Sequence, residues 1–327
     1  MAKGFRSGTS TTNGLGLKMF QEDDLWNLHY ATLDVLSKIG VKVESEKARE
    51  IYAGIGCSVD SQTHIVKIPP YLVEDAMTTA PSSFRACGRN PKNDWYCEGS
   101  RTGFVNFGES VNIIDPYTRK RRKPNKKDVW DSARMVNAME NIAVFERCMV
   151  PEDVNPHVGQ VWVAEGFYNN CTKHALIGMN RPENIRAACK MGAIVSGGED
   201  KFRERPLFTT SCDPISPLVH SKGAVDSLIQ AIECGISSKI NPMGLPGGTT
   251  CVHLAGTLVT HNAEVTSMFV LGQAVKKGVP LIYGTSTAMM DLRSTLSAVG
   301  TPELALFSAA VANVAQFYKV PSFVAGG

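Results

Sequence analysis

The hydrophobic rhythm of the chain changes near residue 103. Before that point apolar residues recur every three or four positions. Asp24 can cap a helix whose apolar face carries Leu25, Leu28, Leu33, Leu36 and Ile39, and which stops at Gly40. Ser45 with residues 47–56 predicts a second helix, and Pro69-Pro70 opens a third that ends near Pro81. Short strand-like pieces, 41–43 and 64–68, lie between them. After residue 103 short apolar runs alternate with helical patterns. The runs at 103–108, 143–150, 174–179, 206–211, 240–244, 280–285 and 321–325 read as strands. The segments 126–141, 158–171, 182–196, 221–235, 252–277 and 302–318 read as helices. A hairpin over 110–124, turning at Asp115-Pro116, follows the first strand.

Strand and helix alternating at this spacing imply a parallel sheet with right-handed crossovers. The strands are apolar throughout, as strands covered on both faces must be. Gly14-Leu15-Gly16 does not sit at a strand-to-helix turn, so the dinucleotide fingerprint is absent. The expected class is α/β, a (β/α)8 TIM-type barrel incomplete at its C-terminus, with about seven strands and an N-terminal helical leader. The organisation predicted is a flexible arm over 1–22, a helical leader packed on the barrel over 23–102, and a partial barrel over 103–327. A barrel one strand short has two unpaired edges. The expectation is therefore that the full protein continues past Gly327, and that this form is truncated and inactive.

Composition narrows the partners. A net charge of +3 over 327 residues gives no reason to expect nucleic acid. The one basic run, Arg119 to Lys123, reads as a solvated strand or turn. No run of about 18 apolar residues exists, so no membrane span is expected. Nine cysteines form no C-x-x-C pair, which fits reduced thiols in a cytoplasm rather than a disulfide framework or a zinc ribbon.

Chemistry in such a barrel belongs at the C-terminal strand ends. No lysine falls inside a predicted strand, which argues against a Schiff-base lyase. No His/Asp cluster lies at the strand ends, so no metal site is expected. His174 begins its strand and reads as structural. Glu109 is the carboxylate best placed to hold a cation, with a hairpin ion pair as its alternative role. Ser286 and Thr287 offer hydroxyls beyond the strand that carries Tyr283. Gly247 and Gly248 allow close backbone approach ahead of the longest helix, or simply make a tight turn. His261, Asn262 and Glu264 form a polar cluster inside that helix and need partners or a function.

Long motifs then add a resemblance. Residues 254–264 (LAGTLVTHNAE), 283–287 (YGTST), 300–304 (GTPEL), 315–318 (AQFY) and 323–326 (FVAG) resemble the trimethylamine methyltransferase family. So do His29 to Leu36 and Val66 to Val73, and the likeness runs in order along nearly the whole chain. It implies a (β/α)8 barrel that moves a methyl group from a methylated amine to cobalt(I) on a separate corrinoid protein, with no cofactor bound in its own chain. It also implies a cytoplasmic homo-oligomer when full length. Members acting on trimethylamine carry pyrrolysine just after the strand that ends here, so the catalytic residue is expected immediately after Gly327, at an amber codon. Glu109, Phe107, Tyr283, Ser286 and Thr287 become candidates for binding the amine, with Phe107, Tyr283 and Phe208 as aromatic faces for a methylated cation and core packing as the stronger reading for Phe208. Gly247, Gly248, His261 and Glu264 become candidates near the corrinoid or substrate. Relatives without pyrrolysine act on quaternary amines such as glycine betaine. That substrate, and a non-catalytic partner of a corrinoid protein, are the alternatives.

Overall fold

In the computed structural model, residues 19–99 and 101–326 are described. Most of the predicted arm, 1–22, lies outside them. The chain divides into two units. The first holds Phe84–Ser211 and Glu233–Ser237; the second holds 19–83, Cys212–Ile232 and 238–326.

The first unit is built on four parallel strands in chain order: β1 (Phe104–Val105), β2 (Ile142–Glu146), β3 (His174–Leu176) and β4 (Phe208–Cys212, whose last residue belongs to the second unit). Val144 is opposite His174, and Ala175 is opposite Phe208. Helix α1 (Lys126–Ala138) starts on a capping box, in which the Asn125 side chain accepts from the Asp128 amide and Asp128 accepts from the Asn125 amide. Helices α2 (Gly159–Asn170) and α3 (Pro182–Ser196) follow. Gly197 closes α3 in the left-handed conformation that favours glycine. The strands need cover on both faces, and α1 to α3 provide apolar faces for it, including Val129, Val136, Val163, Phe167, Ile185 and Ala188. The hairpin forms as expected: Ile113–Ile114 pairs antiparallel with Arg121–Arg122, and Arg122 bridges Asp115 and Asp128. Midway along β4 the Thr210 amide donates to the Ser237 carbonyl.

The second unit carries β5 (Ser238–Ile240), β6 (Leu281–Thr285) and β7 (Ser322–Val324), again parallel and in chain order. Ile240 is opposite Tyr283, and Gly284 is opposite Phe323. The Asn241 amide donates to the Cys212 carbonyl. Helices α4 (Lys222–Cys234, whose last two residues belong to the first unit), α5 (Leu254–Val275) and α6 (Pro302–Phe317) complete the repeat. Beyond its first turn α5 is buried nearly all round, which explains why its sequence is apolar without a polar stripe. The leader packs helices Glu22–Asp34 and Pro70–Thr79 here, through Leu33, Val73 and Met77. It is not wholly helical. Val41–Val43 lies between Ile65–Lys67 and the distant Val219–His220, and pairs parallel with the latter. Seven parallel strands separated by helices make this an incomplete (β/α)8 barrel of the TIM type. No helix of the described residues is long and apolar enough to cross a membrane.

Candidate active site at the strand ends

In the first unit, β1 is extended by a side chain. Asn106 Oδ1 accepts from the Glu146 amide at 2.9 Å, and its Nδ2 donates to the Glu146 carbonyl at 2.7 Å. Gly108 follows; a Cβ there would come within 3.0 Å of Glu146 Cγ, so glycine lets the two strand ends approach. Glu109 then sits at φ 65°, its amide donating to the Arg147 carbonyl at 3.0 Å. Arg147 is buried, with 7% of its surface exposed. Its guanidinium bridges the Glu109 carboxylate and donates to the Gly178 carbonyl at 2.5 Å. Its Nε is buried without a partner among the described residues. Glu109 itself remains mostly exposed. A cation arriving there meets an Arg–Glu pair rather than a lone carboxylate. Phe107 is exposed beside it, whereas Phe208 is fully buried next to Phe202, in core packing.

In the second unit three strands present residues to one another on a common face. On β5, Lys239 is only 4% exposed, and its Nζ lies 3.8 Å from the centre of the Phe323 ring on β7. Between them β6 has Gly284, where a Cβ would meet the Ile240 carbonyl at 2.7 Å, Asn241 Oδ1 at 2.9 Å and Lys239 Cγ at 3.1 Å. One step further along, Asn241 Nδ2 donates to Ser286 Oγ at 2.7 Å, and the Ser286 amide donates to the Pro242 carbonyl. Thr287 is buried; its amide donates to Thr285 Oγ1, and its own hydroxyl has no partner among the described residues.

Lys239 corrects the sequence reading. The strand was expected over 240–244, with no lysine inside any strand. It begins at Ser238 instead, and Pro242, which has no amide hydrogen to donate, follows its end. The premise used against lysine chemistry therefore fails. Alternation of Lys239 and Asn241 ahead of Pro242 was the available signal. Arg147 carried no such signal, because its role depends on a φ and a neighbouring strand.

The other candidates are placed away from open strand ends. Tyr283 is fully buried, its ring beside those of His261, Phe269 and Tyr318 and its hydroxyl donating to Asn262 Oδ1 at 2.7 Å. His261 donates to the Gly284 carbonyl, and burial lowers its pKa to about 4. Glu264 accepts from Ser216 Oγ and from the Leu218 amide, both at 2.8 Å, and burial raises its carboxyl to about 7. His174 is structural as expected, bonded to Thr209 Oγ1 and the Cys87 carbonyl. In the glycine loop, the amides of Gly248, Thr249 and Thr250 all donate to the Leu245 carbonyl, and that of Gly247 donates to Thr250. Gly248 packs against Met290. With its amides turned inward and α5 starting only at Leu254, the loop is a tight turn rather than an anion cradle. Among the described residues no three His, Cys, Asp or Glu side chains gather as metal ligands would.

The (β/α)8 scaffold defines the class, one in which chemistry is generally placed where the strands stop. The chain belongs to the trimethylamine methyltransferase (MTTB) family, which it matches over residues 8–327. It is 45% identical over 322 residues to a trimethylamine methyltransferase of Desulfitobacterium hafniense, covering 98% of this chain and 65% of that one. It is 38% identical over 328 residues to a trimethylamine methyltransferase of Methanosarcina barkeri, covering 98% and 66%. A glycine betaine methyltransferase of D. hafniense is 30% identical over 307 residues, covering 94% and 64%. The chain thus spans about two thirds of the length of these relatives. In three dimensions it resembles the monomethylamine methyltransferase of M. barkeri, with a TM-score of 0.53 at 12% identity over 98% of this chain and 69% of that one.

Proposed function

We propose that the protein transfers a methyl group from trimethylamine to cobalt(I) of a corrinoid carried by a separate partner protein. The observation that carries this reading is the 45% identity to a trimethylamine methyltransferase across 98% of the chain, against 30% to a glycine betaine enzyme. The corrinoid is a co-substrate brought by the partner, and the protein works in the cytoplasm as a homo-oligomer. Cobalt(I) attacks a methyl carbon and the C–N bond electrons leave with nitrogen. The site's task is to hold that carbon in line and make nitrogen a good leaving group. Each unit offers charge and hydrogen bonds suited to a small amine: Glu109 with Arg147 in the first, and Lys239 with Asn241 and Ser286 in the second.

The test uses the product of the whole gene with its corrinoid partner reduced to cobalt(I). Trimethylamine should convert the cobalt(I) spectrum to that of methylcobalt(III), with dimethylamine formed in equal amount. Turnover of glycine betaine but not trimethylamine refutes the substrate. Corrinoid-protein binding without demethylation of any amine would assign the chain a non-catalytic role. The codon after Gly327 is an independent check: UAG supports the trimethylamine reading, and a sense codon favours a quaternary amine.

A further inference from the structure

We propose that Glu109 is a specificity residue of the first unit: it fills the carboxylate position of Arg147 from within the chain, and so turns away amines that carry a carboxylate of their own. The inference rests on the methyl-transfer reading above and deepens it. Its basis is that Arg147 holds Glu109 at two points. The Glu109 amide donates to the Arg147 carbonyl at 3.0 Å, and the Glu109 carboxylate returns to the guanidinium of the same residue. A left-handed φ of 65°, unfavourable for a side chain of this size, is the backbone cost of that arrangement. Gly178, just beyond β3, leaves the pair its room. A Cβ there would come within 3.3 Å of both Arg147 Nη2 and Glu109 Oε1.

The way the guanidinium is occupied indicates what its position suits. Nε and Nη2 share one edge of a guanidinium and point the same way, the fork that takes both oxygens of a carboxylate. In Arg147, Nη1 is spent on the Gly178 carbonyl, Glu109 meets Nη2 with one oxygen, and Nε has no partner among the described residues. A buried guanidinium left one donor short keeps an affinity for carboxylate oxygens. While Glu109 stands there the pair is neutral, and its carboxylate is the part that reaches solvent. A methylammonium group is tolerated beside it, whereas a second carboxylate meets like charge. Trimethylamine presents nothing to repel. Glycine betaine carries a carboxymethyl group on the same nitrogen, and that group is what the position refuses. Without the Glu109 side chain, the fork opens to it.

The experiment titrates glycine betaine and tetramethylammonium into the whole gene product by calorimetry, without turnover. It compares wild type, E109G and the double variant E109G/R147M. Glycine is chosen because it adopts a φ of 65° without strain. E109G should bind glycine betaine about tenfold or more tighter than wild type, the worth of one charge-assisted hydrogen bond. Tetramethylammonium, which has no carboxylate, should not gain, and the double variant should lose the gain for glycine betaine. Equal glycine betaine affinity in wild type and E109G overturns the proposal. So does a gain that survives the loss of Arg147, or one that tetramethylammonium shares. Melting curves verify folding. Should E109G not fold, E109S, which also removes the carboxylate, is judged by the same three criteria. A wild type that demethylates no amine refutes the methyl-transfer reading instead, and the titrations still judge the role of Glu109.

Discussion

Asn262 joins the leader to the barrel helices, and its removal is a quantitative test of the packing. It is fully buried on α5. Its Oδ1 accepts from the Tyr283 hydroxyl at 2.7 Å, and its Nδ2 donates to Thr32 Oγ1 at 2.8 Å and to the Tyr318 hydroxyl at 2.9 Å. The directions are consistent along the chain of bonds. Thr32 passes its own hydrogen to the Leu28 carbonyl, and Tyr318 passes its hydrogen to His29 Nδ1, 2.9 Å away. In Asn262→Leu the Tyr283 hydroxyl loses its acceptor inside the core, a cost of about 1–3 kcal/mol. Thr32 and Tyr318 each lose one donor but keep an outlet for their hydrogens, adding about 1 kcal/mol. The expected total is about 2–4 kcal/mol, read by urea unfolding from the midpoint at constant m value. Asn262→Leu with Tyr283→Phe should cost less than the sum of the two single changes, because no orphan hydroxyl remains on the strand. A loss below about 1 kcal/mol, or strict additivity of the pair, would refute the account.

Four further outcomes are expected. Glu109→Gln should raise KM for the amine about tenfold with a smaller change in kcat, as loss of one charge-assisted contact would; unchanged kinetics remove Glu109 from the site. Burial raises the Glu264 carboxyl from 4.5 to about 7, so the native state holds a proton that the unfolded chain has released, and stability falls as pH rises from 4.5 to 7 and is level above. The span of about 2.5 units corresponds to about 3 kcal/mol, and Glu264→Gln should flatten that part of the urea midpoint against pH. Burial has the opposite consequence for His174, His220 and His261, lowered from 6.5 to about 4, 3 and 4: stability is lost as pH falls below 6.5, and NMR should find none of the three rings titrating above pH 5. Gly284→Ala forces a Cβ to 2.7 Å from the backbone oxygen of Ile240, which cannot swing aside, so chemical unfolding should register a loss of about 1–3 kcal/mol.

Periodicity carried most of the fold. Helix α3 begins at Pro182 and ends at Ser196, as its proline and following glycines indicate, and α1, α2 and α6 fall within three residues of their expected ends. Local signals reach no further than local structure. The pairing of Val41–Val43 with Val219–His220 joins segments far apart in sequence, and nothing in either three-residue run names its partner. β5 was displaced because a lysine interrupts the apolar run, while the proline that follows the strand lies two residues beyond it. For the site, Ser286 and Glu109 were legible as polar residues past strand ends. Tyr283 was not, since alternation puts it on a face of β6 but cannot say which face packs against α5. Arg147 and Asn241 depend on neighbours contributed by other strands, which the linear sequence does not reveal.

The parallel pairing of Val41–Val43 with Val219–His220 has a consequence during synthesis. A ribosome adding about 5–20 residues per second takes on the order of 10–35 seconds to make the intervening stretch. Throughout that interval the nascent Val41–Val43 ribbon has one side without its eventual neighbour, and α5, against which the early helices settle, does not yet exist. Holdase chaperones should therefore engage the first eighty residues while they emerge, and ribosome profiling of chaperone-bound chains should show release only after the region around His220 has cleared the exit tunnel.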